Sequence, residues 1–429
     1  MRLSEGGNAG PSRRFLIGAA GVGLVAPAIR PKPHSPKDIQ HTRLTQRANG
    51  RTLTPLQSLA TQQSQALTPL FAGLADRLSA RCNIVCLGDS ITEGQGAAGP
   101  PSTGFENRWL ARLRDMLRCR YPTQGLTGGG RGFIGAAATG EGSFPWPATT
   151  SQSLPNGMGA GPKAKFLQLA GSGQTITFSL VGDAADIMWT QVPYGGTFSW
   201  AVDGGTAKNV STNGGSVADG KITHIALGGP GSHQLVLSWV SGKSDIDGVI
   251  EYNGDYSSGI QVHDAGHYGA QASTWISALN GGAASGPAAA IAALAPSAVI
   301  ITLGSNDQYL GVDPATFASR LQTIISDLEA RLASPYPTFL LNMLPPRANQ
   351  SSYTYPWSQY IAAAQNVAAA DTSGPGGTSV VVVMDFTAAP SMPTADTDVY
   401  NFWASDRVHP SNKGHQRIAD CLVELLTMS

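Results

Sequence analysis

The sequence predicts an α/β fold in which helices cover both faces of a parallel sheet, with an antiparallel β-sandwich inserted into it. Short uncharged apolar runs, which suit buried parallel strands, alternate with amphipathic helical patterns in two separate parts of the chain. Between these parts the hydrophobic period becomes two, the period of a half-buried strand. Glycine pairs separate the period-two runs in the way that turns do.

The composition excludes several classes of partner. Charged residues are 13% of the 429 residues and the formal net charge is zero. No basic excess is therefore available to neutralise nucleic-acid phosphates, and no polybasic face favours an anionic membrane surface. The 52 glycines and 28 prolines indicate a chain rich in turns, below the roughly 25–30% of Gly and Pro at which a sequence is typical of disorder.

Residues 1–28 have the pattern of an export signal. Arg13 and Arg14 precede an uncharged run that ends in the small residues Ala26-Pro27-Ala28. The run is too short to span a bilayer core, which needs roughly 20 helical residues. We therefore expect export by the twin-arginine route to the periplasm or the exterior, with no stable membrane insertion after signal removal. A short buried helix is the alternative.

The rest of the chain divides into four parts. Residues 29–66, rich in Pro, Gln, Ser and Thr, are expected to be a flexible linker. The α/β domain comprises residues 67–124 and 259–429. Between its halves we expect a glycine-rich loop at 125–165 and the inserted β-sandwich at 166–258, a candidate carbohydrate-binding unit.

In the first half of the α/β domain, a helix, a buried strand and a second helix follow one another. Thr68 and Pro69 predict the helix start, as N-cap and first helical residue. An apolar run over residues 83–87 predicts the strand, which ends at Gly88. The second helix carries an apolar stripe of Trp109, Leu113, Met116 and Leu117.

The second half alternates in the same way. Asp313 and Pro314 predict the start of a helix with one apolar face, formed by Phe317, Leu321, Ile324, Ile325, Leu328 and Leu332. The other predicted elements are strands at 298–303, 339–344 and 380–384 and a last helix at 412–426.

The inserted segment contains three aromatic residues that allow two interpretations. Trp189, Trp200 and Trp239 are either platforms for sugar rings or core residues. They alternate with other apolar residues, which favours core packing.

The four cysteines, Cys82, Cys86, Cys119 and Cys421, allow three full disulfide connectivities in an exported chain. None of these connectivities is required by the spacing. A pair between Cys82 and Cys119 is the first to test, because the start of a strand and the end of the next helix lie at the same edge of an α/β sheet.

Ser90 is the candidate nucleophile. The motif Asp89-Ser90 follows the predicted strand directly, so the hydroxyl lies at the carboxyl edge of the sheet, where open α/β sheets form their sites. Thr92 stands where a Gly-x-Ser-x-Gly elbow needs its second glycine, which disfavours the ordinary α/β-hydrolase fold. A helix cap is the alternative role for this serine.

His409 is the candidate base. Asp406 precedes it by three residues and can orient the imidazole and stabilise its charged form. Pro410 disfavours a helix interior for His409 and favours a loop at the rim of the sheet.

Two further segments offer donors for an oxyanion. Asn306 follows the second predicted strand, at the same carboxyl edge. Gly266 and Gly269 each expose a backbone amide without a side chain in the way. One lost oxyanion donor typically costs roughly 3–4 kcal/mol of barrier.

Four motifs in this order resemble those of the SGNH (GDSL) hydrolases, over residues 82–121 and 259–429. They are Gly88-Asp89-Ser90, the glycine loop at Gly269, Gly304-x-Asn306-Asp307 and Asp406-x-x-His409-Pro410. The second motif departs from the family pattern, since Asp264-Ala265 replaces the asparagine usual before its first glycine. Gly269 rather than Gly266 is the expected donor.

The resemblance implies a flavodoxin-like three-layer sandwich and a serine esterase without metal or cofactor. It implies Ser90 as nucleophile, His409 as general base and Asp406 as its orienting acid. The oxyanion hole would consist of the Ser90 amide with Gly269 and Asn306.

Other polar residues have plainer expected roles. His263 and His267 are four residues apart, but no glutamate adjoins them as in a His-Glu-x-x-His zinc motif. Asp89 and Asp307 are expected to brace their loops. The remaining histidines expected at surface, turn or packing positions are His224, His233 and His415.

The predicted function is hydrolysis of short acyl esters, acetyl above all, on extracellular or envelope polysaccharide. Relatives with added β modules often resemble carbohydrate esterases, which favours this substrate. The alternatives are a lipid-ester or thioester hydrolase, an acyltransferase, and a non-catalytic glycan-binding envelope protein.

Overall fold

The computed structural model describes residues 65–99, 104–123, 129–137, 146–388 and 392–427, which belong to one compact unit. The predicted export signal and nearly all of the predicted linker lie outside the described residues. No helix within the described ranges is long and apolar enough to span a membrane.

The described strands are, in chain order, β1 (Arg81–Gly88), β2 (Gly132–Gly135), β3 (Ala148–Thr150), β4 (Asn156–Met158), β5 (Lys165–Leu169), β6 (Thr175–Gln191), β7 (Thr197–Val202), β8 (Lys208–Ser211), β9 (Ala218–Ser241), β10 (Ser244–Tyr252), β11 (Gly259–Gly266), β12 (Pro296–Thr302), β13 (Thr338–Met343) and β14 (Val381–Asp385). The α-helices are α1 (Thr68–Asp76), α2 (Ser90–Glu93), α3 (Trp109–Arg120), α4 (Ala272–Leu279), α5 (Pro287–Ala293), α6 (Ser305–Tyr309), α7 (Pro314–Glu329), α8 (Trp357–Ala370) and α9 (Asn412–Leu426).

A five-stranded parallel sheet, sheet A, forms the centre of the α/β domain in the order β11-β1-β12-β13-β14. Four of these strands were predicted from apolar runs. The fifth, β11, was missed because its polar residues Gln261, His263 and Asp264 interrupt the apolar pattern, yet all three are buried against neighbouring elements.

Helices pack on both faces of sheet A because its strands are apolar on both sides. Val85 and Leu87 face one hydrophobic cluster, together with residues of α4, α5, α7 and α8. Ile84 and Cys86 face the other, with α1, α3 and α9. A parallel sheet with both faces covered was the predicted arrangement.

The helix ends are set by local signals. Asp313 caps α7 by accepting from the backbone N–H groups of Ala315 and Thr316, and Ser411 caps α9, which has the predicted limits. The first helix differs from the prediction: Thr68 lies inside it, and Leu67 occupies the N-cap without a side-chain hydrogen bond.

The inserted region is an antiparallel sheet, sheet B, with nine described strands in one connected ladder, β4-β5-β10-β6-β9-β7-β8, joined by β2 and β3. The strands β6 and β9 are 17 and 24 residues long, and their mutual register shifts near Gly182 and around residues 227–230. Such irregularities bend strands. The sheet thereby curls around its own apolar core, which includes Phe178, Ile225 and Leu237.

The segment 125–165 was expected to be a glycine-rich loop, but its described residues include three short strands. β2 pairs with β10, β3 with β6 and β4 with β5. Their sequences are too short and too rich in glycine to show a strand period. These three segments form strands because β10, β6 and β5 supply their backbone hydrogen-bond partners. The sequence of each segment does not reveal these partners.

Sheet B shares a core with the α/β domain. Phe133, Ile250 and Tyr252 of sheet B lie in the same hydrophobic cluster as Val85 and Leu87 of sheet A. The insert is therefore packed into the fold along a broad apolar contact.

The cysteines are free thiols in the structure, including the pair proposed for a first test. Cys82 is buried at the start of β1, where burial raises the pKa of its thiol to about 12. Cys119 is exposed on α3. The strand start and the helix end do not bring the two thiols together, because Cys82 points into the core.

Candidate active site

Ser90 begins α2, the short helix that follows β1. Asp89 is the N-cap, and its Oδ1 accepts from the backbone N–H of Ile91 at 2.9 Å. Gly94, with φ of +105°, ends the helix in the left-handed conformation that glycine adopts without strain. The turn fixes the hydroxyl of Ser90 at the carboxyl edge of sheet A.

His409 and Asp406 meet Ser90 there. The Ser90 Oγ is 2.9 Å from Nε2 of His409, and Nδ1 of His409 is 2.6 Å from Oδ2 of Asp406. The other carboxylate oxygen, Oδ1, accepts from the backbone N–H groups of Val408 and His409 at 2.9 and 3.0 Å. Two segments distant in sequence therefore contribute to one hydrogen-bonded chain of three side chains.

The loop of His409 can approach α2 because Gly96 has no side chain. A Cβ at this residue would lie 2.3 Å from the carbonyl oxygen of Pro410 and 2.8 Å from Cβ of His409. Its φ of +86° also favours glycine.

The two aspartates near the serine have opposite electrostatic environments. Burial raises the pKa of Asp406, but hydrogen bonds from His409 and Val408 outweigh it, and the net pKa is below the ordinary value. Asp406 is therefore ionised and suited to hold an imidazolium. Burial raises the pKa of Asp89 to about 6, against partial compensation by the Ile91 amide. Its bond to that amide agrees with the expected bracing role.

Asn306 and the loop of Gly269 are joined to each other. Asn306 lies on α6, and its Nδ2 donates to the carbonyl of Ala270 at 3.0 Å. Its Oδ1 accepts from Nη2 of Arg347 at 2.7 Å. Asp307 accepts from the backbone N–H of Ala272 at 3.1 Å, so the two segments are held by two bonds and Asp307 braces the loop.

The structure distinguishes the two candidate glycines. The N–H of Gly266 donates to Oδ1 of Asp264 at 2.8 Å, so this amide is already engaged. Gly269 has a φ of +71°, is exposed, and has open space where a Cβ would be. Gly269 is therefore the better candidate for an oxyanion donor.

The described histidines other than His409 form hydrogen bonds with other groups of the protein. His263 is buried, with Nδ1 accepting from the backbone N–H of Phe133 and Nε2 bonded to Asn83, and burial lowers its pKa to about 3. His267 bonds through Nδ1 to the carbonyl of Lys163 at 2.7 Å. Within the described ranges no group of three or more His, Cys, Asp and Glu residues is arranged to hold a metal ion.

The other three histidines of the described ranges have packing or surface roles. His415 is buried, with Nδ1 accepting from the backbone N–H of Trp109 and Nε2 bonded to the carbonyl of Gln95. His224 and His233 each bond to an aspartate on sheet B.

The tryptophans of the insert are partly buried. Trp189, Trp200 and Trp239 pack against the core of sheet B, as their alternation with apolar residues favoured.

Two groups of residues at the site were missed by sequence reasoning. Arg347 orients the Asn306 amide but follows a strand without any motif. Lys163 and Arg108 form a buried ionic cluster with Glu93 and Asp264 beneath α2. The only available signal was that both carboxylates lie close to glycine motifs, Glu93 three residues after Ser90 and Asp264 two residues before Gly266.

The sequence matches the family model of the GDSL-like lipases/acylhydrolases over residues 84–422. The chain belongs to this family. It is therefore a carboxylic ester hydrolase, and the SGNH (GDSL) resemblance of the sequence motifs is confirmed. A search among curated proteins found no match by sequence.

Three solved structures are similar to this chain at low sequence identity, and the first of them shares its fold. A peptidoglycan O-acetylesterase is 18% identical, with 85% of this chain and 97% of that chain covered and a TM-score of 0.58. A family two carbohydrate esterase from Clostridium thermocellum is 13% identical over 63% of this GDSL-family chain and 97% of its own, with a TM-score of 0.31. A salicylyl-acyltransferase of a tetracycline biosynthetic pathway is 14% identical over 66% and 96%, with a TM-score of 0.32.

The raised pKa of Asp89 predicts a pH-dependent cost to stability. Between the ordinary pKa of 3.8 and the folded value of about 6, the unfolded chain releases a proton that the folded chain retains, so the wild type loses stability as pH rises through this window. We expect Asp89→Asn to remove this loss. Relative to wild type, its free energy of unfolding should increase by about 2.4 kcal/mol from pH 4 to pH 7.

Urea denaturation at pH 4, 5, 6 and 7 measures this difference. Parallel pH curves for wild type and variant would show that Asp89 ionises normally in the folded enzyme.

Proposed function

We propose that this GDSL-family hydrolase is a serine esterase that uses Ser90, His409 and Asp406 as a catalytic triad. The observation that carries the proposal is the hydrogen-bonded chain from Ser90 Oγ through the His409 ring to Asp406. His409 accepts the proton of Ser90 as the oxygen attacks an ester carbonyl, and it returns the proton to the leaving alcohol. Asp406, ionised and bonded to Nδ1, stabilises the imidazolium.

Hydrolysis of the acyl-enzyme repeats these roles with water as the nucleophile. The oxyanion of each tetrahedral intermediate is stabilised by the amides of Ser90 and Gly269 and by Nδ2 of Asn306. A side-chain amide nitrogen has two N–H bonds, so the bond of Asn306 to Ala270 leaves one for the oxyanion. Arg347 at Oδ1 keeps the amide in this orientation.

For the hydrolase domain we propose a flavodoxin-like three-layer sandwich. Numbered by chain order within sheet A, its strands run 2-1-3-4-5, the flavodoxin order, and helices cover both faces. The site at the carboxyl ends of β1 and β12 lies where the strand order reverses, as expected for such folds.

The proposed substrates are acetyl esters on an extracellular or envelope polysaccharide. Support comes from the fold shared with a peptidoglycan O-acetylesterase over 85% of this chain. The twin-arginine pattern of residues 1–28 supports a location in the periplasm or outside the cell.

The triad predicts a characteristic pattern of kinetic losses. Ser90→Ala and His409→Ala should each lower kcat for a short-chain aryl acetate by about 10⁴–10⁶, and the double variant should lose little more, because the two residues act as one unit. Steady-state kinetics with active-site titration measures this. Additive losses, or a Ser90→Ala variant as active as wild type, would refute the triad.

The substrate proposal predicts selective release of acetate. Wild-type enzyme should release acetate from O-acetylated peptidoglycan or another acetylated glycan with a higher kcat/KM than from medium-chain lipid esters or acyl thioesters, with Ser90→Ala as the blank. Chromatographic quantification of the released acid measures the rates. A preference for the lipid ester or thioester would reverse the assignment, and transfer of acetyl to added glycan would identify an acyltransferase.

The export proposal predicts processing near Ala28. Protein recovered from the periplasm or medium should begin after this residue, and replacing Arg13 and Arg14 with lysine should leave the precursor inside the cell. N-terminal mass spectrometry of fractionated cells measures both. An uncleaved chain confined to the cytoplasm would contradict export.

A further inference from the structure

A buried lysine of the inserted sheet reaches beneath the nucleophile helix of the hydrolase domain. Lys163 lies between β4 and β5, and its Nζ is 3.1 Å from Oδ2 of Asp264 and 3.4 Å from Oε1 of Glu93. Only 1% of its side chain is exposed. Gly135 makes room for it, since a Cβ there would lie 2.7 Å from Cδ of Lys163.

Both carboxylates belong to the segments that carry the proposed catalytic groups. Glu93 is the last residue of α2, three residues after Ser90. Asp264 lies at the end of β11, where its other oxygen accepts from the N–H of Gly266. Arg108 completes the cluster by donating to Asp264 at 2.7 Å, so two cations face two carboxylates in a buried volume.

The backbone of Lys163 makes a second link to the site. Its carbonyl accepts from Nδ1 of His267 at 2.7 Å, and the N–H of His267 donates to the carbonyl of Gly88 at 3.0 Å. The carbonyl of His267 in turn accepts from the N–H of Ala270 at 3.1 Å. Lys163 therefore contacts the segment before Gly269 at Asp264 and His267. Through His267 it is linked to the end of β1 and to Ala270 on the other side of Gly269.

The loop that carries Lys163 is fixed within sheet B. The N–H of Gly161 donates to Oδ2 of Asp219 at 2.7 Å, and the ends of the turn are joined by the bond from Gly159 to the carbonyl of Ala164 at 3.0 Å. Asp219 is itself buried at the start of β9. Because this loop is fixed to sheet B, the position of sheet B determines where Lys163 meets Glu93 and Asp264.

We propose that Lys163 is a positioning residue, through which the inserted sheet holds α2 and the Gly269 loop in the geometry that esterase chemistry needs. This inference rests on the proposed function, because it assigns the insert a part in placing Ser90 and the oxyanion donors. The ion pairs to Glu93 and Asp264 and the bond to His267 are the contacts through which it acts. The insert is thus a component of the active-site scaffold.

The expected effect is on turnover more than on binding. Displacement of a reacting group by about 1 Å can cost about 10²-fold in rate. Lys163→Met keeps the length of the side chain and removes its charge. It should lower kcat for an aryl acetate by about 10–100-fold while KM changes less than about twofold, and it should slow the labelling of Ser90 by a fluorophosphonate by a similar factor.

Two further variants separate positioning from charge balance and from general effects on the insert. Lys163→Met with Glu93→Gln removes one cation and one carboxylate together. It should recover thermal stability lost in the single variant, while kcat stays low because the tether to α2 is still absent. Lys243→Met, the same change at an exposed lysine in the turn between β9 and β10, should behave as wild type.

Hydrogen exchange provides a readout that does not depend on activity. Lys163→Met should increase deuterium uptake in peptides covering residues 88–96 and 265–272, while peptides of β12 and β13 keep wild-type uptake. If either Lys163 variant is folded and retains wild-type kcat and wild-type uptake in these peptides, the inference is wrong. If the double variant recovers both stability and kcat, the lysine only balances charge and the inference is likewise wrong.

Failure of the proposed function has a different signature. Wild-type enzyme would then neither turn over the aryl acetate nor be labelled at Ser90. In that case hydrogen exchange alone tests whether Lys163 holds α2 and the Gly269 loop in place. Increased deuterium uptake in both segments would support this role, and unchanged uptake would refute it.

Discussion

The candidate site depends on three adjacent parallel strands that end at the same level. Gly88, the last residue of the central strand β1, pairs in register with Gly266 of β11 on one side and Thr302 of β12 on the other. The segments that follow these strands carry Ser90, Gly269 and Asn306. Parallel pairing brings the carboxyl ends of neighbouring strands to one edge, so groups more than two hundred residues apart emerge side by side. Gly88 allows this closeness, because a Cβ there would lie 2.6 Å from the carbonyl oxygen of Thr302.

The base reaches this edge by a different route, since no strand next to β1 precedes it. His409 lies in the loop before α9, and α9 packs on α3 across the apolar cluster beneath sheet A. His415 of α9 bonds to the backbone of Trp109 at the start of α3 and to Gln95 after α2. The buried, neutral His415 thus links the segment that carries His409 to the start of α3 and to the residues that follow α2. The packing of α9 places the imidazole of His409, and the register of β1, β11 and β12 places the groups around it.

Charge at the site and beneath it is compensated locally. Asp406 is ionised by backbone and imidazole donors, while Arg108 and Lys163 face Glu93 and Asp264 beneath the nucleophile helix. Breaking such a cluster at one member typically costs several kcal/mol, so it imposes one arrangement on the segments it joins. Lys163 belongs to sheet B, whereas Glu93 and Asp264 belong to segments at the edge of sheet A. The positions of the two sheets therefore depend on each other at this cluster. The similarity to a peptidoglycan O-acetylesterase, which extends over 85% of this chain, agrees with an insert that is integral to the fold.

Short-range patterns in the sequence determined four strands of sheet A, the helices α1, α3, α7 and α9, and the candidate triad. Apolar runs marked β1, β12, β13 and β14, a capping residue and a proline marked α7, and the motif spacing marked Ser90 and His409. These features are local, since strand burial, helix caps and motifs involve residues close in sequence.

Only the tertiary structure decided the rest. The strands β2 to β4 form because neighbouring strands of sheet B supply their backbone partners. The hydrogen bond from the Gly266 amide to Asp264, which agrees with the choice of Gly269 as candidate donor, is also visible only in the fold. Lys163 and Arg347 reach the site from segments without any motif. Their roles arise from strand register and packing between distant segments, which the periodicity of a single segment does not encode.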